Sequence, residues 1–282
     1  MVRPVLWFYW WFFPELVRIP HAATLYDVID DHADYGHNAR WSSVVAANRR
    51  LEDKLLRGVD LAYALSPALA ESYREVNDSM RFLPPGIDLQ KVEHVRERLK
   101  VPQEMAALPR PIVGYVGQIG SRLDWALLEQ LVGANPEWTF VFVGGAEPPE
   151  APDAPNLHFF GPRSYEDILQ AASTFDVGII PFKDTPSTRG AYSYKALDYL
   201  SLGKPVVATR LPFTINIDLR FPGAIEIVTS VAEWRQGIAR ALQSSADPRG
   251  IELRLAAARD QTTGGRIERM IDDVRGVAAS NA

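Results

Sequence analysis

The sequence predicts an α/β protein of two domains, each a parallel sheet covered by helices. Two series of short apolar segments alternate with helical segments, one over residues 4–106 and one beginning at Ile112. Strands alternating with helices of this length imply parallel, doubly wound sheets. A stretch carrying Pro102, Pro109 and Pro111 separates the two series, as a domain boundary would. At 282 residues the chain also exceeds the usual size of one domain.

In the first series, Val5 to Trp10 and Ala23 to Ile29 read as strands, Ala39 to Leu56 as a helix and Asp60 to Leu65 as a strand. Pro67 to Val76 reads as a helix and Met80 to Leu83 as a strand. Pro84-Pro85-Gly86 breaks the alternation. Glu93 to Lys100 reads as a charged linker helix, which puts the first domain at residues 1–106. The run from Pro4 to Phe13 is apolar but stops at Pro14-Glu15, short of the roughly 20 residues a membrane span needs. It lacks the aliphatic core and small-residue cleavage site of a signal peptide. Its aromatic content suits a buried strand. The other reading is an interfacial anchor, because Trp and Tyr favour membrane surfaces.

In the second series, Ile112 to Val116 is a strand, Asp124 to Val132 a helix, and Trp138 to Val143 a strand closed by Gly144-Gly145. Asn156 to Phe160 is a strand, Tyr165 to Ala172 a helix and Val177 to Ile180 a strand. A helix through Lys195 follows, ended by Gly203 as a C-cap glycine ends one. Val206-Val207-Ala208 then reads as a buried strand. Ala224 to Val228 is the last strand, and Val231 to Leu242, Ile251 to Arg259 and Arg266 to Val277 are helices. The second domain is thus expected over 107–262, followed by a helix over 263–282.

A hydrophobic share of 47% and a charged share of 23% suit a soluble globular protein. A net charge of −5 supplies no basic excess to neutralise phosphates, so nucleic acid is not an expected partner. The absence of cysteine removes disulfides, thiolate metal sites and Cys nucleophiles, and fits a reducing compartment. The expected location is cytoplasmic; the anchor reading of residues 4–13 adds contact with the inner face of a membrane.

Four segments carry candidate chemistry. Lys195 and Asp198 lie three apart, on one face of their helix. The helix starts at the carboxyl end of a strand, where open α/β sheets bind ligands. A cation beside free backbone N–H groups suits a phosphate, and a carboxylate one turn later suits a sugar hydroxyl. An ordinary surface Lys and Asp on a packing helix fit the spacing equally. Gly114-Tyr-Val-Gly117-Gln118-Ile-Gly120-Ser121-Arg122 follows a strand, so its backbone can approach a ligand, with Gln118, Ser121 and Arg122 able to meet phosphate. Its spacing misses the dinucleotide fingerprint, and a plain strand-to-helix turn is the alternative. Gly161-Pro-Arg163-Ser-Tyr165 reads as a base-binding loop or as a helix cap at Ser164. Asp27-Val-Ile-Asp30-Asp31-His32 offers a base, a sugar-orienting group or a metal ligand, or strand-end capping residues.

Taken in order, these segments resemble the retaining, nucleotide-sugar-dependent glycosyltransferases of the GT-B fold, which pair two Rossmann-like domains and often carry an E-x7-E motif. Tyr194-Lys195-Ala-Leu-Asp198-Tyr-Leu-Ser-Leu-Gly203-Lys-Pro205-Val-Val-Ala-Thr209 is similar to that family's P-L-K-x-x-E-Y-L-A-x-G-K-P-V-V-A-T segment. Val113 to Gly117, Trp138 to Gly144, Asn156 to Gly161, Asp176 to Pro181, Gly58 to Ser66 and Pro85 to Asp88 match in the same order. The resemblance implies sugar transfer with retention from UDP or GDP to a glycan or lipid-linked acceptor, without metal or further cofactor. It puts Lys195 on the donor diphosphate and Asp198 on the ribose, with Ser193 and Tyr194 beside them. The Gly117 loop, including Gln118, Gly120, Ser121 and Arg122, would approach the phosphates, and Gly161 with Arg163 would border the base. The last helix would cross back to the first domain.

Three departures accompany it. Gly190 stands where the first acid of E-x7-E belongs, and Asp198 replaces the second Glu. Gln118 stands where many members carry a phosphate-binding Arg. The first domain is incomplete against a full acceptor domain. Asp30 takes the Asp of the family's strand-end His-Asp pair, its His falls at Ile29, and His32 becomes the displaced catalytic candidate. A non-catalytic nucleotide-sugar-binding subunit completed by a protein partner is the alternative function, with a sugar-nucleotide epimerase as a third.

Overall fold

A computed structural model describes residues 3–30, 42–145 and 151–280. In chain order the elements are β1 (Val5–Phe8), a 3-10 helix (Pro14–Arg18), β2 (Ala23–Val28), α1 (Ser42–Leu56), β3 (Leu61–Ala64), α2 (Pro67–Tyr73), β4 (Met80–Phe82), α3 (Leu89–Glu97) and α4 (Gln103–Ala106). There follow β5 (Ile112–Val116), α5 (Trp125–Ala134), β6 (Thr139–Val143), β7 (Leu157–Phe160), α6 (Tyr165–Ser173), β8 (Val177–Ile180), α7 (Pro186–Gly190) and α8 (Tyr194–Ser201). The chain ends with β9 (Val206–Thr209), α9 (Pro212–Arg220), β10 (Glu226–Val228), α10 (Val231–Gln243), α11 (Pro248–Arg259) and α12 (Thr263–Ser280).

The chain forms two units. The first comprises residues 1–86, 189–192 and 263–282, and the second residues 87–188 and 193–262. The proline stretch suggested a boundary near 106. In the structure residues 87–106 associate with the second unit, because Ile87 N–H donates to Gln261 O at 2.8 Å and α3 packs against α6. The expected linker helix at 93–100 is α3, which begins earlier because Asp88 accepts from Lys91 N–H and caps it. The short helices α4 and α7, the 3-10 helix and α9 add to the elements expected from periodicity.

The first unit is a four-stranded parallel sheet in the order β1-β2-β3-β4. β2 is buried along its whole length, as a strand covered on both faces requires. Tyr26 and Tyr73 both donate to the buried Glu52 carboxylate, at 2.8 and 2.6 Å, so that charge is hydrogen-bonded. The helix at the chain's end is part of this unit. Arg266 of α12 forks onto the Asp27 carboxylate at 2.9 and 2.7 Å and onto Pro84 O at 3.1 Å. One turn apart, Met270 is buried against Leu25 and Tyr63, and Asp273 accepts from Tyr63 and pairs with Arg81. Asp27 therefore serves as an anchor for α12.

The second unit is a six-stranded parallel sheet in the order β10-β9-β8-β5-β6-β7. Numbered within the unit, that is 3-2-1-4-5-6, the doubly wound Rossmann order, whose ligand crevice opens where β5 and β8 diverge. Every residue of β5, β6 and β8 is buried, which explains their near-continuous apolar runs. Gly203, at φ +70 after α8, confirms the glycine C-cap.

Removing one partner of a buried ion pair leaves an uncompensated charge, typically at about 3–5 kcal/mol. Arg266→Ala should lower the urea-unfolding free energy by about that much. Arg269→Ala, an exposed change one turn along, should move it by less than about 0.5 kcal/mol.

Candidate functional site

The site forms where β5 gives way to its loop. Gly117 has φ +120, a conformation L side chains rarely adopt, and a Cβ there would stand 2.6 Å from Lys195 Cε. Glycine at 117 therefore lets the lysine lie flat on the backbone. A Cβ on Gly144 would meet Gly117 O at 1.8 Å, so the ends of β5 and β6 also touch only through glycine. Gly117 N–H donates to Val143 O at 2.9 Å, and Ile119 N–H to Gly145 O at 3.0 Å.

Lys195 is the second residue of α8, and that helix is held against β5 from below. Tyr199 is fully buried, and its hydroxyl accepts from Val116 N–H at 2.8 Å. Its ring lies over Gly178, where a Cβ would come within 2.5 Å of it. At the other end of α8, the buried Arg254 donates to Gly203 O at 2.7 Å. The helix thus presents its first turn to the Gly117 loop in one orientation.

The Lys195 ammonium stands 5.3 Å from the centres of both the Tyr115 and Phe182 rings, a cation between two π faces. Burial pushes its pKa down to about 8, Asp198 pulls against that and Arg122 reinforces it. Asp198 is buried, and burial pushes its carboxyl up to about 6 against the hydrogen bond from Tyr165 and the charge of Lys195. Tyr165 donates to Asp198 Oδ1 at 2.7 Å, and Lys91 lies 5.5 Å from its ring centre. Between about pH 6 and 8 the pair is therefore ammonium and carboxylate.

A cavity of about 300 Å³ opens beside this lysine, lined by Tyr115, Gln118, Gly120, Ser121, Arg122, Phe182 and Lys195. Its volume is that of a small-molecule site. The Lys195 ammonium, the Arg122 guanidinium and the Gly120-Ser121 backbone suit an oxyanion, and a phosphate group fits that donor set. Ser193, the residue before α8, is 5% exposed, and its Oγ has no hydrogen-bond partner. It is a buried polar atom directly before a helix N-terminus.

The structure thus gathers Gly117, Gln118, Gly120, Ser121, Arg122 and Lys195 at one point, with Ser193 at the start of α8 and Asp198 one turn on. The other expected residues do not line this cavity. Arg163 pairs with Glu104 at 2.6 Å, a Cβ on Gly161 would meet nothing within 4 Å, and the Tyr194 side chain is exposed. Ser164 caps α6, accepting from Asp167 N–H at 3.2 Å. Asp30 follows β2 in the first unit, and His32 lies outside the described residues. No group of three or more His, Asp or Glu side chains stands at metal-ligating spacing among the described residues. Sequence reasoning missed the aromatic walls, although Tyr115 sits inside the Gly114–Gly117 motif and Phe182 lies two residues after β8. It also missed Tyr165 as the partner of Asp198.

Both sheets and their order give the chain an α/β fold of the GT-B type, with a short first domain. The full-length likeness to solved structures agrees. Sucrose-phosphate synthase from Thermosynechococcus elongatus matches with a TM-score of 0.73 at 18% identity, over 98% of this chain and 74% of that one. Anabaena Alr3699/HepE in complex with UDP-glucose matches with a TM-score of 0.63 at 15% identity, over 90% and 72%. Residues 110–244 match the family model described as glycosyl transferases group 1. Over an alignment of 113 residues the chain is 30% identical to the Bacillus subtilis protein named "Putative teichuronic acid biosynthesis glycosyltransferase TuaH", covering 36% of this chain and 28% of that one.

The pKa shifts have a consequence for stability. Folding lowers the Lys195 pKa from 10.5 to about 8, so between those values the unfolded chain holds a proton that the folded chain does not. Stability rises with pH across that window, and below it the charged lysine is a standing cost. Lys195→Met should therefore be more stable than the parent at pH 7, by about 1–3 kcal/mol. The advantage should shrink as urea unfolding is repeated from about pH 8 upward.

Proposed function

We propose that the chain is a glycosyltransferase that takes a hexosyl group from a nucleoside-diphosphate sugar, UDP- or GDP-linked, and passes it to a glycan or lipid-linked acceptor with retention and without metal. The observation that carries this reading is the Lys195 ammonium lying on Gly117 at the divergence of β5 and β8, beside a cavity of about 300 Å³. In this reading Lys195 and Arg122 meet the diphosphate and stabilise it as it departs, together with the Gly120–Ser121 backbone. Ser193 Oγ adds a donor. Asp198, held by Tyr165 through one oxygen, keeps the other for ribose hydroxyls. Asp30 and His32 are the proposed groups acting at the acceptor. The matched family segment and the UDP-glucose complex of a fold relative support a nucleotide-sugar donor.

A second reading, a nucleotide-sugar-binding subunit that needs a protein partner for turnover, is favoured by Gly190. That position offers no carboxylate, and its carbonyl accepts a hydrogen bond from Ser66 Oγ at 2.6 Å. Donor hydrolysis by the purified chain separates the two: measurable release of UDP or GDP supports the enzyme, and binding without release supports the subunit.

Titration calorimetry tests the donor site directly. Lys195→Ala should weaken UDP or GDP binding by about 10- to 150-fold, the worth of a hydrogen bond to a charged group. Lys183→Ala, at an exposed lysine after β8, should leave it within about twofold. Equal affinity for the parent and Lys195→Ala would overturn the proposal. Binding should also weaken above about pH 8 as the ammonium loses its proton, and Lys195→Arg should abolish that alkaline limb.

A further inference from the structure

We propose that the segment from β1 through the 3-10 helix, with the end of α1 packed beside it, is a docking surface for an anionic lipid bilayer. Trp11 is buried in the first unit's core and pins the segment. Around it Tyr9, Trp10, Phe12, Phe13, Leu16 and Ile19 are exposed, Trp10 at 55% and Phe13 at 68%. Trp10 and Phe12 stack at 5.8 Å and 5°, and both rings pack against Trp11, so the aromatics here are clustered rather than scattered.

Charge decides what covers it. Lys54 of α1 reaches Glu15 of the 3-10 helix at 2.5 Å, and a Cβ on Gly58 would stand 3.1 Å from Val17, so the end of α1 lies against this segment. Arg50, Lys54 and Arg57 fall on one stripe of that helix end by their spacing. Residues 3–19 and 50–57 carry Arg3, Arg18, Arg50, Lys54 and Arg57 against Glu15, Glu52 and Asp53, whereas Arg49 turns inward and donates to the Tyr73 hydroxyl at 2.6 Å. Glu52 is buried and hydrogen-bonded to two tyrosines. The face is cationic on a chain whose net charge is −5. A second copy would present the same cations to itself, which disfavours self-pairing. Trp, Tyr and Phe rimmed by Arg and Lys instead complement the headgroup region of an anionic bilayer.

The proposal stands whether or not the chain transfers sugar. Its test is co-sedimentation of the full chain with phosphatidylcholine vesicles, with and without about 30% phosphatidylglycerol. The parent should pellet with the anionic vesicles and lose that binding at high salt. Trp10→Ser with Phe13→Ser, and separately Arg18→Glu with Arg57→Glu, should each weaken partition about tenfold or more. Retained circular dichroism should confirm their fold; should the aromatic variant fail to fold, the charge variant decides alone. Failure of the parent to pellet, or equal partition of parent and charge variant, overturns the proposal. So does a concentration-dependent dimer that Trp10→Ser with Phe13→Ser abolishes, which assigns the surface to a second copy.

Discussion

A lysine laid on bare backbone is the constraint from which the second unit's candidate site follows. The ammonium of Lys195 can occupy its place only if position 117 has no side chain. Gly117 can reach its own conformation only because Gly144, also bare, lets the end of β6 close onto it. Tyr199 supplies the third support, because its hydroxyl accepts Val116 N–H directly before the glycine. Strand, loop and helix are thereby coupled through contacts with almost no slack, and interiors packed this closely transmit displacement rather than absorb it. The cationic group is thus oriented before any ligand arrives, the condition under which fixed charges are most effective.

That arrangement carries a stability cost. Lys195 is partly buried between two aromatic rings, and Asp198 is held in a buried position where its carboxyl resists ionisation. Perturbed groups set in a cavity mark functional sites more often than structural ones. The ion pair of the first unit makes the contrast. Asp27 and Arg266 satisfy each other with two hydrogen bonds and a third to a backbone carbonyl, which leaves little capacity for a ligand. Two acid–base pairs of similar composition thus differ in role because one is saturated and the other is not.

Much of the second unit was legible from local pattern. β5, β6 and β8 are fully buried, so their apolar runs stand out without alternation, and Gly203 ends α8 through a conformation only glycine adopts cheaply. The glycine turn at 117 and the cation at 195 were legible for the same reason: each is defined by its own neighbourhood. What escaped depends on long-range closure. Tyr165 meets Asp198 across 33 positions, and Tyr199 meets Val116 across 83; neither pairing leaves a trace in spacing. Arg163 was expected near a base because its loop follows β7, but Glu104, on a helix whose four residues lack periodicity, claims its guanidinium. In the first unit, Asp27 looked like part of an acidic cluster because its partner lies 239 positions away.

The attachment of α12 bears on how the chain comes to be folded during synthesis. The first unit is discontinuous: its sheet is made from residues 1–86, yet the helix that neutralises Asp27 belongs to residues 263–282. A ribosome adding about 5–20 residues per second finishes every strand of the second unit before it makes Arg266. While those strands are being made, the first unit waits with the Asp27 carboxylate still facing water. Strands made before the second unit are thus sealed only after it, and a nascent chain exposes them to chaperones over that interval.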